Sequence, residues 1–201
     1  MFKGWRIVAL VLGLAACDGI EIYGTYDQYT HLTTDPIEIV MPPNAPYISE
    51  QFGRAGELND TPHEGIDIWA KLGTPVIAAA PGRVSASFYE PGHGNTVIVE
   101  HGRDTNGQKV RTVYKHLKTR TASKGETVAR GEQVGTMGAT GALAMLVHLH
   151  FEVRRARTGN YYTPYDPMLF WVQGPGRVTC FEAGKTYADT PFQITYPVPC
   201  R

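Results

Sequence analysis

The chain has 201 residues, 42% of them hydrophobic and 19% charged, enough for one domain with a real core plus extensions. That balance is too polar for a multi-spanning membrane protein and too apolar for a disordered chain. Lys+Arg and Asp+Glu are equal at 19 each, and without a basic excess no nucleic-acid partner is expected. The 22 Gly and 14 Pro oppose helix interiors and suit a turn-rich β protein.

In chain order, Lys3 and Arg6 precede an apolar run from Ile7 to Ala16, the make-up of a secretory signal. The run is far short of the ~20 residues that span a bilayer. Leu14-Ala15-Ala16-Cys17 resembles the bacterial lipobox. That resemblance implies a signal peptide over 1–16, a lipidated Cys17, and an exported chain anchored to a membrane, facing the periplasm or wall. An ordinary signal cut nearby is the alternative. Asp18 resembles an inner-membrane retention signal. Residues 17–45 read as a tether: Asp35-Pro36 and Pro42-Pro43 break regular structure, while Ile20, Ile22, Tyr23 and Ile37 to Met41 are apolar enough to dock in part.

From 46 to 172 the pattern is β. Val76 to Ala80 is a short apolar run before the turn Pro81-Gly82. Asn95 to Glu100 and Lys109 to Leu117 alternate, and Asn106-Gly107 between them signals a hairpin turn. Lys124-Gly125-Glu126-Thr127-Val128 recurs six residues later as Arg130-Gly131-Glu132-Gln133-Val134. This density of short strands predicts a mainly β fold, an antiparallel sandwich or barrel with few or no long helices. Residues 173–201 read as a tail without visible chemistry. In an exported chain Cys180 and Cys200 are expected to pair, closing a loop worth roughly 3 kcal/mol.

Two histidine spacings stand out. His63-Glu64-Gly65-Ile66-Asp67 puts His and Asp on one face of an extended segment, with Ile66 and Ile68 on the other. In His148-Leu149-His150-Phe151-Glu152-Val153, strict alternation sets His148, His150 and Glu152 against Leu149, Phe151 and Val153. Such a wall suits a metal or catalytic site. On spacing alone, a surface turn for His63 and an edge strand for His148 and His150 remain open.

The order of motifs narrows the choice. Gln51-Phe52-Gly53-Arg54, His63-Glu-Gly-Ile-Asp67, Gly73-Thr74-Pro75-Val76, Gly92-His93-Gly94-Asn95, Tyr114-Lys115-His116-Leu117, Gly138-Ala139-Thr140-Gly141 and His148-Leu-His-Phe-Glu152 follow one another. Together, over about 50–168, they resemble the lysostaphin-type (LytM-like) zinc metallopeptidases, which cut peptide bonds of bacterial cell wall. The resemblance implies a β fold of the duplicated hybrid-motif type and one Zn²⁺ ion held by His63, Asp67 and His150. It also implies a catalytic pair, His148 as general base and His116 as transition-state stabiliser, two roles that could be exchanged. One departure is Met145-Leu146-Val147, where the family has a small Gly-Pro-like segment before the His-x-His pair.

Two imidazoles and a carboxylate suit zinc, and three protein ligands leave the open position of a catalytic ion. The expected function is therefore hydrolysis of peptide bonds in peptidoglycan stem peptides or cross-links. A catalytically silent domain of the same fold, binding wall or activating a separate amidase or other partner, is the runner-up. A lipoyl-type carrier hairpin, suggested by Gly125 and Gly131, would leave the histidines unexplained. Glu152 reads either as an orienter of His150 or as a surface salt bridge. Tyr114 either lines the site or packs, and Asn95 either stabilises a turn or touches substrate.

Overall fold

A computed structural model describes residues 37–53, 62–158, 161–188 and 190–201. Cys17, Asp18 and the first part of the tether lie outside the described residues.

Two antiparallel sheets carry the fold. The meander β4 (Gly82–Glu90), β5 (Gly94–Arg103) and β6 (Lys109–Leu117) forms the middle of the larger sheet. β10 (Leu149–Thr158) adds to the open edge of β6, with β2 (Ile66–Ile68) and β1 (Ile48–Glu50) beyond it; β8 (Thr127–Val128) borders β4. β2 takes only the first three residues of β10, and β11 (Tyr161–Tyr165) pairs with the same strand from Val153 onward. The smaller sheet is β3 (Pro75–Ile77), β9 (Gln133–Thr136) and β7 (Thr119–Arg120). The sheets are open, and the helical content among the described residues is one 3₁₀ turn, Pro167–Leu169.

Alternation builds the core. Val97 and Val99, Leu149, Phe151 and Val153, and Ile66 and Ile68 are fully buried on one face of the larger sheet. Burying each such side chain stabilises by about 1.5–3 kcal/mol. The turn at Asn106-Gly107 forms as expected: Asp104 Oδ1 accepts from the backbone N–H groups of Asn106 and Gln108. The repeated Lys/Arg-Gly-Glu segments make the same turn twice. Glu126 and Glu132 each accept from the backbone N–H three residues earlier, at 2.8 Å. The apolar run 76–80 is strand only to Ile77. Ala78 and Ala79 are buried but pair with loops, through Glu132 O, the Gly131 N–H and the Thr195 N–H.

The segment after residue 172 differs from the expected appendage. Val178, Ile194, Tyr196 and Val198 belong to the main core beside Trp171. Thr195 N–H donates to Ala79 O and Ile77 N–H to Pro197 O, both near 2.9 Å. The Pro- and Gly-rich composition hid a backbone that pairs with loops rather than a strand ladder. Cys180 and Cys200 are joined, with Cα atoms 5.9 Å apart. Ile37, Ile39 and Met41 pack against this core, and Val40 N–H bonds Gly176 O at 2.9 Å.

Candidate metal and catalytic site

The site lies on the large sheet's other face. Asp67 of β2 is directly opposite His150 of β10, so one register places both side chains together. His63 arrives from the bend before β2. That bend presses onto β10: a Cβ at Gly65 would collide with Phe151 O. His63 Nε2, Asp67 Oδ1 and His150 Nδ1 form a triangle with edges of 3.1, 2.9 and 2.9 Å.

His116 reaches the same groove through an irregularity. In regular alternation it would share the core face of Tyr114, two residues earlier. Val97 pairs Tyr114 but Asn95 pairs Leu117, so β6 carries one extra residue, a bulge of the kind that re-aims a side chain. His116 adopts φ +61° there. The bulge is braced from two turns: His93 O accepts the His116 N–H at 3.0 Å, and Thr140 O accepts from the ring. His148 stands just before β10, its Nε2 3.5 Å from Asp67 Oδ2. Lys115, His93 and Leu143 complete an open groove of about 310 Å³ around these side chains.

The hydrogen bonds fix the ring tautomers. His63 Nδ1 faces Gln51 O at 3.1 Å, His116 Nδ1 faces Thr140 O at 2.9 Å, and His148 Nδ1 faces Leu146 O at 2.9 Å. A carbonyl only accepts, so each of these nitrogens carries a proton, and in the neutral imidazole it is Nε2 that presents the lone pair to the groove. His150 differs: Nε2 faces the Glu152 carboxylate at 3.1 Å and Nδ1 faces Asp67 Oδ1 at 2.9 Å. Although burial lowers its pKa, these two bonds raise it overall; a metal ion at the triangle would take the place of the proton on Nδ1. Three potential ligand atoms therefore meet within the triangle. A single proton bridges one edge; a cation satisfies all three. Two nitrogens and one carboxylate oxygen suit zinc, whose tetrahedral bonds of ~2.0–2.2 Å set ligand atoms roughly 3.3 Å apart.

Glu152 is fully buried, which rules out the surface salt bridge and leaves its carboxylate against the His150 ring. It accepts from His150, from Lys115 Nζ at 2.5 Å and from Arg154 Nε, while Arg154 Nη2 also binds Glu64 at 2.5 Å. Burial pushes the Glu152 pKa up, but the His150 bond and the Arg154 and Lys115 charges outweigh it and hold the carboxyl well below its usual range. Burial likewise opposes ionisation of Asp67, and its bonds to His150 and His63 overcome that. Burial lowers the His116 pKa to about 4 against the opposing Thr140 bond, so this imidazole is neutral at neutral pH.

For Tyr114 and Asn95 the structure takes the alternative away from the chemistry. Tyr114 takes the packing alternative, with its hydroxyl 2.9 Å from Ala79 N and 3.0 Å from Thr112 Oγ1. Asn95 stabilises its turn, donating to Leu117 O and Lys118 O and accepting from Arg120. Lys115 joins the site without having been singled out by the sequence, although its place between Tyr114 and His116 in an alternating run puts it on the face opposite the core, where it is buried against Glu152. The departing segment 145–147 exposes Met145 and Leu146, which with Leu143 form an apolar shoulder beside the groove.

An antiparallel scaffold holding a His-Asp-His cluster, with two further imidazoles facing one groove, defines the class as metallopeptidase. The chain belongs to peptidase family M23, whose family model matches residues 61–167, more than half of its length. Peptidoglycan DD-endopeptidase ShyC of Vibrio cholerae is 39% identical over 90 residues, 45% of this chain and 19% of that protein. The uncharacterized lipoprotein YgeR of Escherichia coli is 36% identical over 112 residues, 55% of this chain and 40% of that one. The chain thus spans less than half the length of these curated relatives. Among solved structures, the catalytic domain of lysostaphin from Staphylococcus simulans matches with TM-score 0.52 and 28% identity, over 61% of this chain and 90% of that one. A zinc-containing peptidase from Vibrio cholerae matches with TM-score 0.52 and 28% identity, over 66% and 39%.

Proposed function

We propose that this protein is an exported, zinc-dependent endopeptidase that hydrolyses peptide bonds of peptidoglycan stem peptides or cross-links, anchored to a membrane through lipidated Cys17. The observation that carries the reading is the convergence of three ligand atoms, His63 Nε2, Asp67 Oδ1 and His150 Nδ1, on one point, flanked by the rings of His116 and His148. The names of ShyC, of the zinc-containing peptidase and of the lipoprotein YgeR support substrate, metal and anchoring in turn.

His63, Asp67 and His150 would hold the ion. When bound, zinc supplies Lewis acidity and brings the pKa of a bound water toward ~7. The chain's own residues handle the proton. His148 Nε2 bears a lone pair beside Asp67 Oδ2, so it takes the proton of the attacking water and returns it to the leaving amine. His116 cannot donate to a developing oxyanion while its proton sits on Nδ1 against Thr140 O. In that tautomer Nε2 accepts, and orients the attacking water or a substrate N–H. Glu152 and the backbone carbonyls fix the ring orientations, and the mostly buried floor of the groove limits solvent.

The test is digestion of purified cell wall with the protein, with and without a chelator and after zinc is restored, followed by mass analysis of the fragments. Paired new amines and carboxylates in the peptide moiety, lost with chelator and restored by zinc, are expected. Zinc-loaded protein that cuts no peptide bond, yet stimulates an added wall amidase, would establish the silent-activator reading instead.

A further inference from the structure

A second trough, of about 210 Å³, continues from the metal groove along the same face of the large sheet; Lys115 and His93 line both. Thr96, Ile98 and Val113 form its floor, and Arg111, Lys115 and Arg154 stand around it. Strand geometry sets this row of cations. Arg111, Val113 and Lys115 alternate onto one face of β6, and Arg111 pairs directly with Arg154 of β10. Four residues at ~3.3 Å each put Arg111 roughly 13 Å from Lys115 along the strand.

The carboxylates nearby are engaged. Glu152 binds Lys115, Arg154 and His150. Glu90 accepts from the Gly92 and His93 backbone N–H groups and from the His93 ring. Glu100 takes the Tyr162 hydroxyl. Among the described residues Arg111 makes no ion pair within 4.0 Å, and its buried Nε has no hydrogen-bond partner. Its guanidinium lies 3.8 Å over the Tyr162 ring, which occupies the cation's face and leaves its N–H edge. Burial and the Arg154 charge hold the Arg111 pKa below the ordinary guanidinium value, against the smaller opposing pull of Tyr162, Glu152 and Glu100; a bound anion would offset the Arg154 repulsion further.

We propose that this trough is a carboxylate subsite, in which Arg111, flanked by Lys115 and Arg154, holds a free carboxylate that the substrate peptide carries about four residues from the bond in the metal groove. The inference rests on the peptidase reading and narrows its substrate to an acidic peptide. A side-chain carboxylate and a C-terminal carboxylate offer the same chemistry.

The experiment compares synthetic cross-linked wall peptides with free carboxylates against versions amidated at the side chain alone or at the C-terminus alone. Wild type is expected to lose roughly 10- to 100-fold in kcat/KM, mostly through KM, when the recognised carboxylate is amidated. The sensitive position identifies the source. Arg111→Gln is expected to cleave free and amidated peptides alike, near the wild-type rate on the amidated one, and Arg111→Lys to recover part of the preference. If Arg111→Gln does not fold, the wild-type comparison decides alone: equal cleavage of all peptides overturns the subsite. Fluorescence anisotropy with labelled peptides separates the two readings. No cleavage by zinc-loaded protein defeats the peptidase, while tighter binding of the free-carboxylate peptide would still support the trough, and equal binding would sink it as well.

Discussion

Each side chain at the metal groove has a second partner that fixes its chemistry. His150 is held between Asp67 and the buried Glu152, and His148 between the groove and Leu146 O. Their substitutions should therefore separate. His150→Ala removes one of the three proposed ligands, so both zinc content by metal analysis and wall hydrolysis should be lost. His148→Ala should retain zinc and lose about 10²- to 10⁴-fold in turnover; surviving turnover would remove it as the base. A histidine outside the groove reports on stability. His101 Nδ1 donates to Pro81 O, and its Nε2 lies 2.8 Å from Thr112 Oγ1, in contact with Tyr114 and so with Ala79. Burial lowers its pKa to about 4, opposed by the Pro81 bond and aided by the Arg130 charge. The unfolded chain therefore binds this proton first as pH falls. The histidine's contribution is complete above about pH 6.5 and is lost between 6.5 and 4. The gap in urea midpoint between wild type and His101→Gln should shrink across that window; a constant gap would contradict the burial.

The bulge in β6 is the element on which the groove depends. It is locked where two glycine turns meet it. Gly94, at φ +69°, lies so close to Thr140 that a Cβ would strike that residue's backbone and hydroxyl oxygens. Thr140 in turn receives the His116 ring and caps Leu117 O at 2.7 Å. Gly94→Ala combines left-handed strain with a clash and should cost about 1–3 kcal/mol. It should also lower turnover at unchanged zinc content, since His63, Asp67 and His150 lie on other segments. Urea unfolding, metal analysis and kcat measured together check this, and normal kcat would show that the bulge does not need the glycine. By contrast, β10 follows directly from its own alternation. Leu149, Phe151 and Val153 are fully buried opposite His150, Glu152 and Arg154, a pattern legible because both faces repeat with period two.

At the scale of the whole molecule, the C-terminal segment closes the core. Ile194 is fully buried and its N–H donates to Phe170 O at 2.8 Å. Ile194→Ala should destabilise by about 2–5 kcal/mol, as large-to-small changes in cores do, measured by urea unfolding. A change under 0.5 kcal/mol, the range of ordinary surface substitutions, would restore the tail as a mere appendage. The Cys180–Cys200 bond ties this segment to itself across 20 residues of sequence, so its end is held where Tyr196 and Val198 enter the core.

The sequence by itself determined the strands with clean alternation and made the cysteine pairing expected, because residue type and short spacing are written along the chain. The ligand set it implied only through the order of motifs shared with a family. Tertiary structure decided what depends on contacts between distant segments. The register of β2 on β10 sets Asp67 opposite His150, and an extra residue in β6, braced by turns at Gly94 and Thr140, turns His116 away from the core face of Tyr114. Local alternation places His116 on the buried side. Only the pairing of β5 with β6 shows that the backbone leaves that rhythm one residue before the imidazole is needed.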